Sequence, residues 1–541
     1  MKKIAGVILC LFILTGVFTG CGGKRNPDTA DTLEIYAYDA GYGVDWIDDM
    51  IELFKEQDWV KEKYPDLKIT TPVKNDVTTF AESMITAGAR SNTFDLMFGM
   101  HLSNYMIPGG QLLDLTDSVY NSYVPGETDE NGNPVKFKDK AIASYNESNR
   151  YIDVNDLTSE RYFTVSWAAG MDSFIYNETI LNQFGIKVPN TTDELLAACS
   201  TIKAHEGKQD GKYNKGFSIV QSQDAVYWDF IFPVWWAQYE GIEQYLNFYN
   251  GIDDNRYSAD IFRQQGRVKS LEVYQQLLDY DKGYLTPNSF IDEFMMAQTS
   301  FLQGNGVFHV NGDWFAKEMA DIMDDIIEQE GGMDVFKTMR MPIVSALGEK
   351  LGISDSVLSA VVDYVDGTVE KAPALSSSTG YTADEIIAAV REARSIVESI
   401  GPSHNAVIPV YANGKEIAVD FLRFMSTDIA QKAYAVATNG ASLPFKYDLK
   451  TEEPDLCAQL HPLQQSRIEY FSSIEVYTLP AKSAFPLARY GGLDAFSSKN
   501  YYTTFAANGN TKTPEDYFND TREYWTTERF NDALSRAGIA V

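Results

Sequence analysis

Apolar and polar positions alternate from Leu33 to Tyr38, which predicts a first strand, and a Gly-containing turn follows from Asp39 to Gly43. Ile47, Met50, Ile51 and Phe54 then recur at helical spacing. The cycle repeats with a strand over 67–71, a helix marked by Phe80, Met84 and Ala87, and a strand over 94–98 ending at Gly99. This alternation predicts an α/β fold, with mixed, mostly parallel sheets flanked by helices. Ligands of such sheets bind at the carboxyl ends of strands, which directs attention to Tyr38, Asp39 and the run from Phe98 to His101.

The pattern changes several times between Tyr162 and Glu194. A β-like run over 163–167 gives way to Ala168, Ala169 and Gly170, and a second apolar run, Phe174 to Tyr176, ends in Asn177 and Glu178. A short helix over 179–184 stops at Gly185, and Thr191 with Glu194 forms a capping box that opens the next. The stretch predicts passage from one lobe into a second. Beyond it, residues 224–239 carry seven aromatic side chains, among them Trp228, Trp235 and Trp236. Residues 301–310 read as a helix end, a Gly turn and a strand, followed directly by Asn311, Gly312, Asp313 and Trp314. Residues 348–401 read as an insertion, with a polar run over 370–380 and a helix capped by Thr382 and Glu385. A strand over 406–411 precedes one strong helix with Ala418, Phe421, Leu422, Met425, Ile429 and Ala433 on one face.

A chain of 541 residues exceeds one compact core, so the pattern and the length agree on two or more lobes. The formal charge is −31, which repels phosphate backbones and excludes nucleic acid as a partner. Aromatic residues make up 13% of the chain, and flat apolar faces are what sugar rings stack on. Lys2 and Lys3 precede an apolar run from Ile4 to Phe18, too short to span a membrane comfortably and suited to a signal peptide over 1–20. The run ends in Phe18-Thr-Gly-Cys21, which resembles a bacterial lipobox, with Phe18 where Leu is usual. That resemblance implies lipid attachment at Cys21 and a flexible tether over 21–32. Cys199, in an apolar helical stretch, and Cys457 remain, either as free thiols or as a pair. No spacing fits a metal site: residues 129–134 read as a hairpin tip, and residues 205–215 carry too few alternating acids for calcium. No cofactor is expected.

An ordered set of segments is similar to bacterial extracellular solute-binding proteins of the maltose-binding, family 1 type: the lipobox, Asp95 to Phe98, Gly110 to Leu115, Ile175 to Asn177, Gly185 to Glu194, Phe301 to Trp314, Met341-Pro342, and Glu416 to Ala435 followed by Asn439-Gly440 and Pro444. The resemblance implies a two-lobed fold with a ligand cleft between the lobes. Lobe 1 would hold 33–164 and 404–443, and lobe 2 would hold 165–403 and 444–541, with crossings near Thr164, His404 and Leu443. It implies a lipid-anchored, monomeric binding protein on the extracellular face of the cell membrane, which captures a carbohydrate, an oligosaccharide, for the permease of an ATP-driven importer. Trp314 resembles the family position whose indole stacks on a sugar ring, and Asp313 and Asn311 would hydrogen-bond hydroxyls. Tyr38 and Asp39 stand where the cleft should be, although Asp39 could equally begin a turn. Trp167 either faces the cleft or packs against the second lobe, and Trp228 and Trp235 are weaker candidates. Two other classes stay open: a glycosidase using a carboxylate pair, and the same fold binding a peptide or another polar solute.

Overall fold

A computed structural model describes residues 31–100, 102, 107, 109–153, 156–473, 476–493 and 498–540. The expected signal peptide, Cys21, nearly all of the tether, and His101 lie outside the described residues.

Two sheets organise the chain. In chain order their strands are β1 (Ile35–Tyr38), β2 (Val73–Asn75), β3 (Leu96–Met100), β4 (Val165–Ser166), β5 (Ser173–Asn177), β6 (Phe308–Asn311), β7 (Phe336–Thr338) and β8 (His404–Val407). The first sheet has the order β4-β8-β3-β1-β2. Its β1, β2 and β3 run parallel, with Tyr36 opposite both Val73 and Met97. Strands β8 and β4 are antiparallel additions, with Asn405 opposite Gly99 and Val165 opposite Ala406. The second sheet places β5 between β6 and β7, antiparallel to both. Single parallel bridges from Ile219 to Phe308 and Leu285 extend it. The parallel expectation holds for the region that produced it, but the strand expected over 67–71 forms only at Lys68–Ile69, paired with Thr32–Leu33 in a separate two-stranded sheet, and Val73–Asn75 takes its place in the first sheet. In the second sheet, strand direction is set by chain return, which local alternation does not encode.

Helix α1 (Asp45–Glu56) buries Trp46, Ile47, Met50, Ile51 and Phe54 against the first sheet's core. The helix expected to run unbroken from Glu416 to Ala435 is two, α2 (Lys415–Phe424) and α3 (Asp428–Ala437). Thr427 restarts it, its hydroxyl accepting the Ala430 N–H. The break resets the helical phase, so Ile429, expected on the apolar face, is 44% exposed. In residues 348–401 the capping box at Thr382 and Glu385 forms as expected. Asp366 there binds Arg340 and Arg394 at 2.7 Å each, tying that region to the second lobe. Cys199 is buried and Cys457 half-buried; both are free thiols.

Three crossing segments lie side by side. Trp167 donates its N–H to His404 O at 2.9 Å, Ala169 to Ser442 O at 2.9 Å, and Asp172 to Glu398 O at 2.9 Å. Residues near 164, 404 and 443 thus meet in space.

Candidate functional site

The carboxyl ends of β1 and β6 face each other across the two lobes. β1 ends at buried Tyr38, with Asp39 exposed at the lip. The turn after it carries Tyr42, whose ring stands edge-on to Trp314 at 6.2 Å, to Trp167 at 6.2 Å and to His404 at 5.4 Å. The backbone of Gly41 lies directly on the indole, since a Cβ there would stand 2.7 Å from Trp314 Cβ. From the other side Trp314 leans over Gly312 and meets the edge of Phe230 at 5.8 Å. Gly312 also admits the carboxylate of Asp172, so a side chain at 312 would meet both groups. An exposed ion pair, Lys317 to Asp45 at 3.4 Å, bridges the rim and adds little.

Polar groups gather beside this aromatic seam. Glu318 accepts a hydrogen bond from Gln298 Nε2 at 2.9 Å, and burial raises its carboxyl pKa. Tyr38 of the first lobe and Tyr227 of the second both have raised pKa values. Burial is the main cause for each, and the charge of Glu318 contributes to both, so both phenols feel this one carboxylate. Carboxylate and phenol oxygens beside an indole face can bind hydroxyls around a stacked ring. Tyr42, Tyr227, Phe230 and Glu318 were not singled out in the sequence. Their signal is weak: a tyrosine inside a Gly turn, two aromatics among seven, and one acid among 76.

The remaining candidates sit elsewhere. Asn311 is buried with both amide ends engaged: Nδ2 with His309 Nε2 at 3.1 Å, and Oδ1 accepting Gly312 N–H at 2.8 Å. His309 Nδ1 meets Val220 O at 2.8 Å, so the neutral ring carries its proton there, and burial pulls its pKa down to about 4. Asn311 thus shapes the turn beneath Trp314. Asp313 accepts from Arg467 Nη1 at 2.7 Å, with both side chains buried. Burial raises its pKa to about 6 against the opposing charge of Arg467 and the Met171 N–H. A Cβ on Gly170 would fall 2.1 Å from the Asp313 carboxylate, so Gly170 makes room for this pair. Trp167 is 1% exposed, stacks on Trp46 at 5.4 Å and donates Nε1–H to Gly99 O at 2.9 Å. It is part of the core at the crossing. Trp228 and Trp235 are fully buried in the second lobe, where Trp228 packs on Tyr274 at 5.3 Å and Trp235 donates to Pro342 O at 3.1 Å. The turn that follows Tyr38 and Asp39 meets Trp314 through Gly41 and Tyr42, Asn311 and Asp313 are engaged by other buried groups, and Trp167, Trp228 and Trp235 lie in cores.

Two more acids line the crossing. Burial, with the charges of Glu398 and Asp313, holds the Asp172 carboxyl well above the usual range. Burial pushes Glu398 up to about 8, opposed by Lys482 and assisted by Asp229. A raised acid binds its proton more tightly in the folded chain. Its stabilising contribution is full below the ordinary value of 4.5 and is lost as pH climbs towards about 8. His309 acts in the opposite sense, but only below its ordinary value of 6.5. Thermal stability is therefore expected to fall from about pH 6.5 to about pH 8, by at most about 1.4 kcal/mol per pH unit for each acid. Thermal melts across that range check it: Glu398→Gln should flatten the slope, and a flat wild-type profile would exclude the effect.

A separate groove of about 1290 Å³ lies against the crossings at Ala169, Gly170, Ser442 and Leu443. None of its lining residues belongs to 38–45 or 311–318, so it is distinct from the seam. Among the described residues, no group of three or more His, Cys, Asp or Glu side chains could hold a metal ion. No described helix is long and apolar enough to cross a membrane.

A profile described as bacterial extracellular solute-binding protein matches residues 40–432. No curated protein matches the chain. Among solved structures, one from the thermophilic bacterium Caldanaerobius polysaccharolyticus, solved in a study of xylan utilization, is similar at 14% identity and TM-score 0.56, covering 92% of this chain and 100% of that one. An ABC substrate-binding protein from Listeria monocytogenes in complex with cycloalternan is similar at 13% identity and TM-score 0.53, covering 93% and 99%. An ABC transporter solute-binding protein from Thermotoga lettingae TMO bound with α-D-tagatose is similar at 14% identity and TM-score 0.52, covering 93% and 100%. These likenesses establish the two-lobed α/β fold.

Proposed function

The chain belongs to the bacterial extracellular solute-binding proteins, and from that premise we propose that it captures a carbohydrate, an oligosaccharide, between its lobes for the permease of an ATP-driven importer. The observation that carries the sugar reading is the seam itself. Trp314 meets the turn that follows β1, at Gly41 and Tyr42, with the edge of Phe230 beside it, and the Glu318 carboxylate acts electrostatically on Tyr38 and Tyr227. An indole face covers the apolar side of a pyranose, and the oxygens around it serve the hydroxyls. The ligands of the Listeria and Thermotoga proteins, both carbohydrates, support the same class.

The lobe division is 33–164 with 404–443 and 165–403 with 444–541, supported by the side-by-side crossings. Solute binding would favour the closed arrangement because only that arrangement offers contacts from both lobes. The chain would act as a monomer, bound to the extracellular face of the cell membrane through lipid on Cys21, and would do no chemistry. Trp314→Ala is expected to cost about 2 kcal/mol of binding, roughly thirtyfold in Kd. Calorimetry over an oligosaccharide panel measures it, and an unchanged Kd would remove Trp314 from the site. Turnover of those oligosaccharides would replace this reading with the glycosidase, and a response to peptides alone would replace the ligand class.

A further inference from the structure

The turn after β1 contains an anomaly. Asp39, Ala40 and Asp45 are exposed, yet Tyr42 between them is only 3% exposed. Its burial comes largely from across the seam and from the crossings. Its ring contacts are Trp314 of the second lobe, and Trp167 and His404 at the crossings. Burial first, and then the charges of Asp313 and Asp172, hold its hydroxyl pKa well above the usual range. Two glycines allow this depth. Gly41 lets the backbone rest on the indole, and Gly43 takes a left-handed φ of 67° beside Lys317. Trp314 is consequently 9% exposed, with its faces and edges taken by Gly41, Gly312, Tyr42 and Phe230.

We propose that Tyr42 is a resident occupant of the solute cleft, whose ring covers Trp314 and must withdraw before a solute ring can stack there. This rests on the reading of the seam as a carbohydrate cleft. Across the seam the turn is held by the packing of Gly41 and Tyr42 on Trp314 and by one exposed ion pair, so its withdrawal breaks no ladder of the first sheet. Apparent affinity is the intrinsic affinity scaled by the fraction of molecules with the indole uncovered. One such aromatic contact changes that fraction by about three- to tenfold. Tyr42 therefore selects for solutes that replace its contact with Trp314 and reach hydroxyl partners on both lobes. A small solute that touches one lobe does not displace it.

The test has two arms on the purified full chain. In the first, acrylamide quenching is measured without solute for wild type, Tyr42→Phe and Tyr42→Ala, each with and without Trp314→Phe to isolate the Trp314 signal. Tyr42→Ala should raise quenching of Trp314 about threefold, while Tyr42→Phe stays at the wild-type level. In the second, calorimetry with the oligosaccharide panel should show Tyr42→Ala binding about three- to tenfold tighter than wild type. Tyr42→Leu replaces the alanine variant in both arms if that one does not fold. Weaker binding by Tyr42→Ala would make Tyr42 a solute contact and overturn the proposal, as would unchanged quenching of Trp314. If no sugar binds either protein, the carbohydrate reading fails, and the quenching arm still decides whether Tyr42 covers Trp314.

Discussion

Arg467→Ala is expected to destabilise the second lobe by about 3–5 kcal/mol. The carboxylate of Asp313 is 1% exposed and the Arg467 side chain 4%, and their hydrogen bond is 2.7 Å long. Removing the guanidinium leaves Asp313 enclosed with the Met171 N–H as its remaining donor, under the burial that already raises its pKa to about 6. An unpaired buried charge costs far more than the pair contributes, because both charges have already lost their water. Arg467 also has Nε and Nη2 buried without a hydrogen-bond partner among the described residues. The intact pair is thus not fully compensated, and replacing both members should cost much less than replacing one. Denaturant unfolding of Arg467→Ala, Asp313→Asn and Arg467→Met/Asp313→Leu measures this as a double-mutant cycle. A loss below about 1 kcal/mol for Arg467→Ala would show that water reaches Asp313.

This pair also marks where sequence reading stopped. Asp313 was legible as a position near the cleft because it follows a strand and a Gly turn. Its role was not, because its partner lies 154 residues away and nothing near Arg467 announces a buried guanidinium. Asn311 is a similar case: its site follows from local order, but its engagement by His309 depends on the ring's tautomer, set by Val220 O. Tyr38 and Asp39 were candidates for a general reason, that parallel strands present their carboxyl ends to a ligand, whereas Trp314, which follows an antiparallel strand, was a candidate through the family resemblance alone. Tyr42 was hidden because Gly41 and Gly43 read as punctuation, and their value lies in the close approach of two lobes. The two-lobed fold was legible from alternation, length and the ordered resemblance. The split between α2 and α3 was not, because Thr427 follows an apolar face that continues in phase through Met425.

Trp167→Ala is expected to cost about 3–5 kcal/mol of stability, the range for emptying a buried tryptophan site. Sequence left this indole open to two roles, and the two predict different outcomes. In the structure it stacks on Trp46 at 5.4 Å, meets the edges of Phe98 at 6.5 Å and His404 at 4.7 Å, and spends its one donor on Gly99 O. These partners belong to α1, β3 and β8, so the indole fastens the first crossing strand to the sheet that it leaves. Alanine would leave a cavity at the point where β4 must hold its register with β8, and would remove the indole donor from the Gly99 carbonyl. Trp167→Phe should recover part of the loss by refilling the ring volume without the donor. Unfolding and solute titration on the same samples separate the roles. Stability within about 1 kcal/mol of wild type, together with collapse of solute binding, would place the indole in the cleft. The expected pattern is the reverse: stability falls steeply, and binding weakens only as far as a loosened crossing lets the lobes lose their mutual alignment.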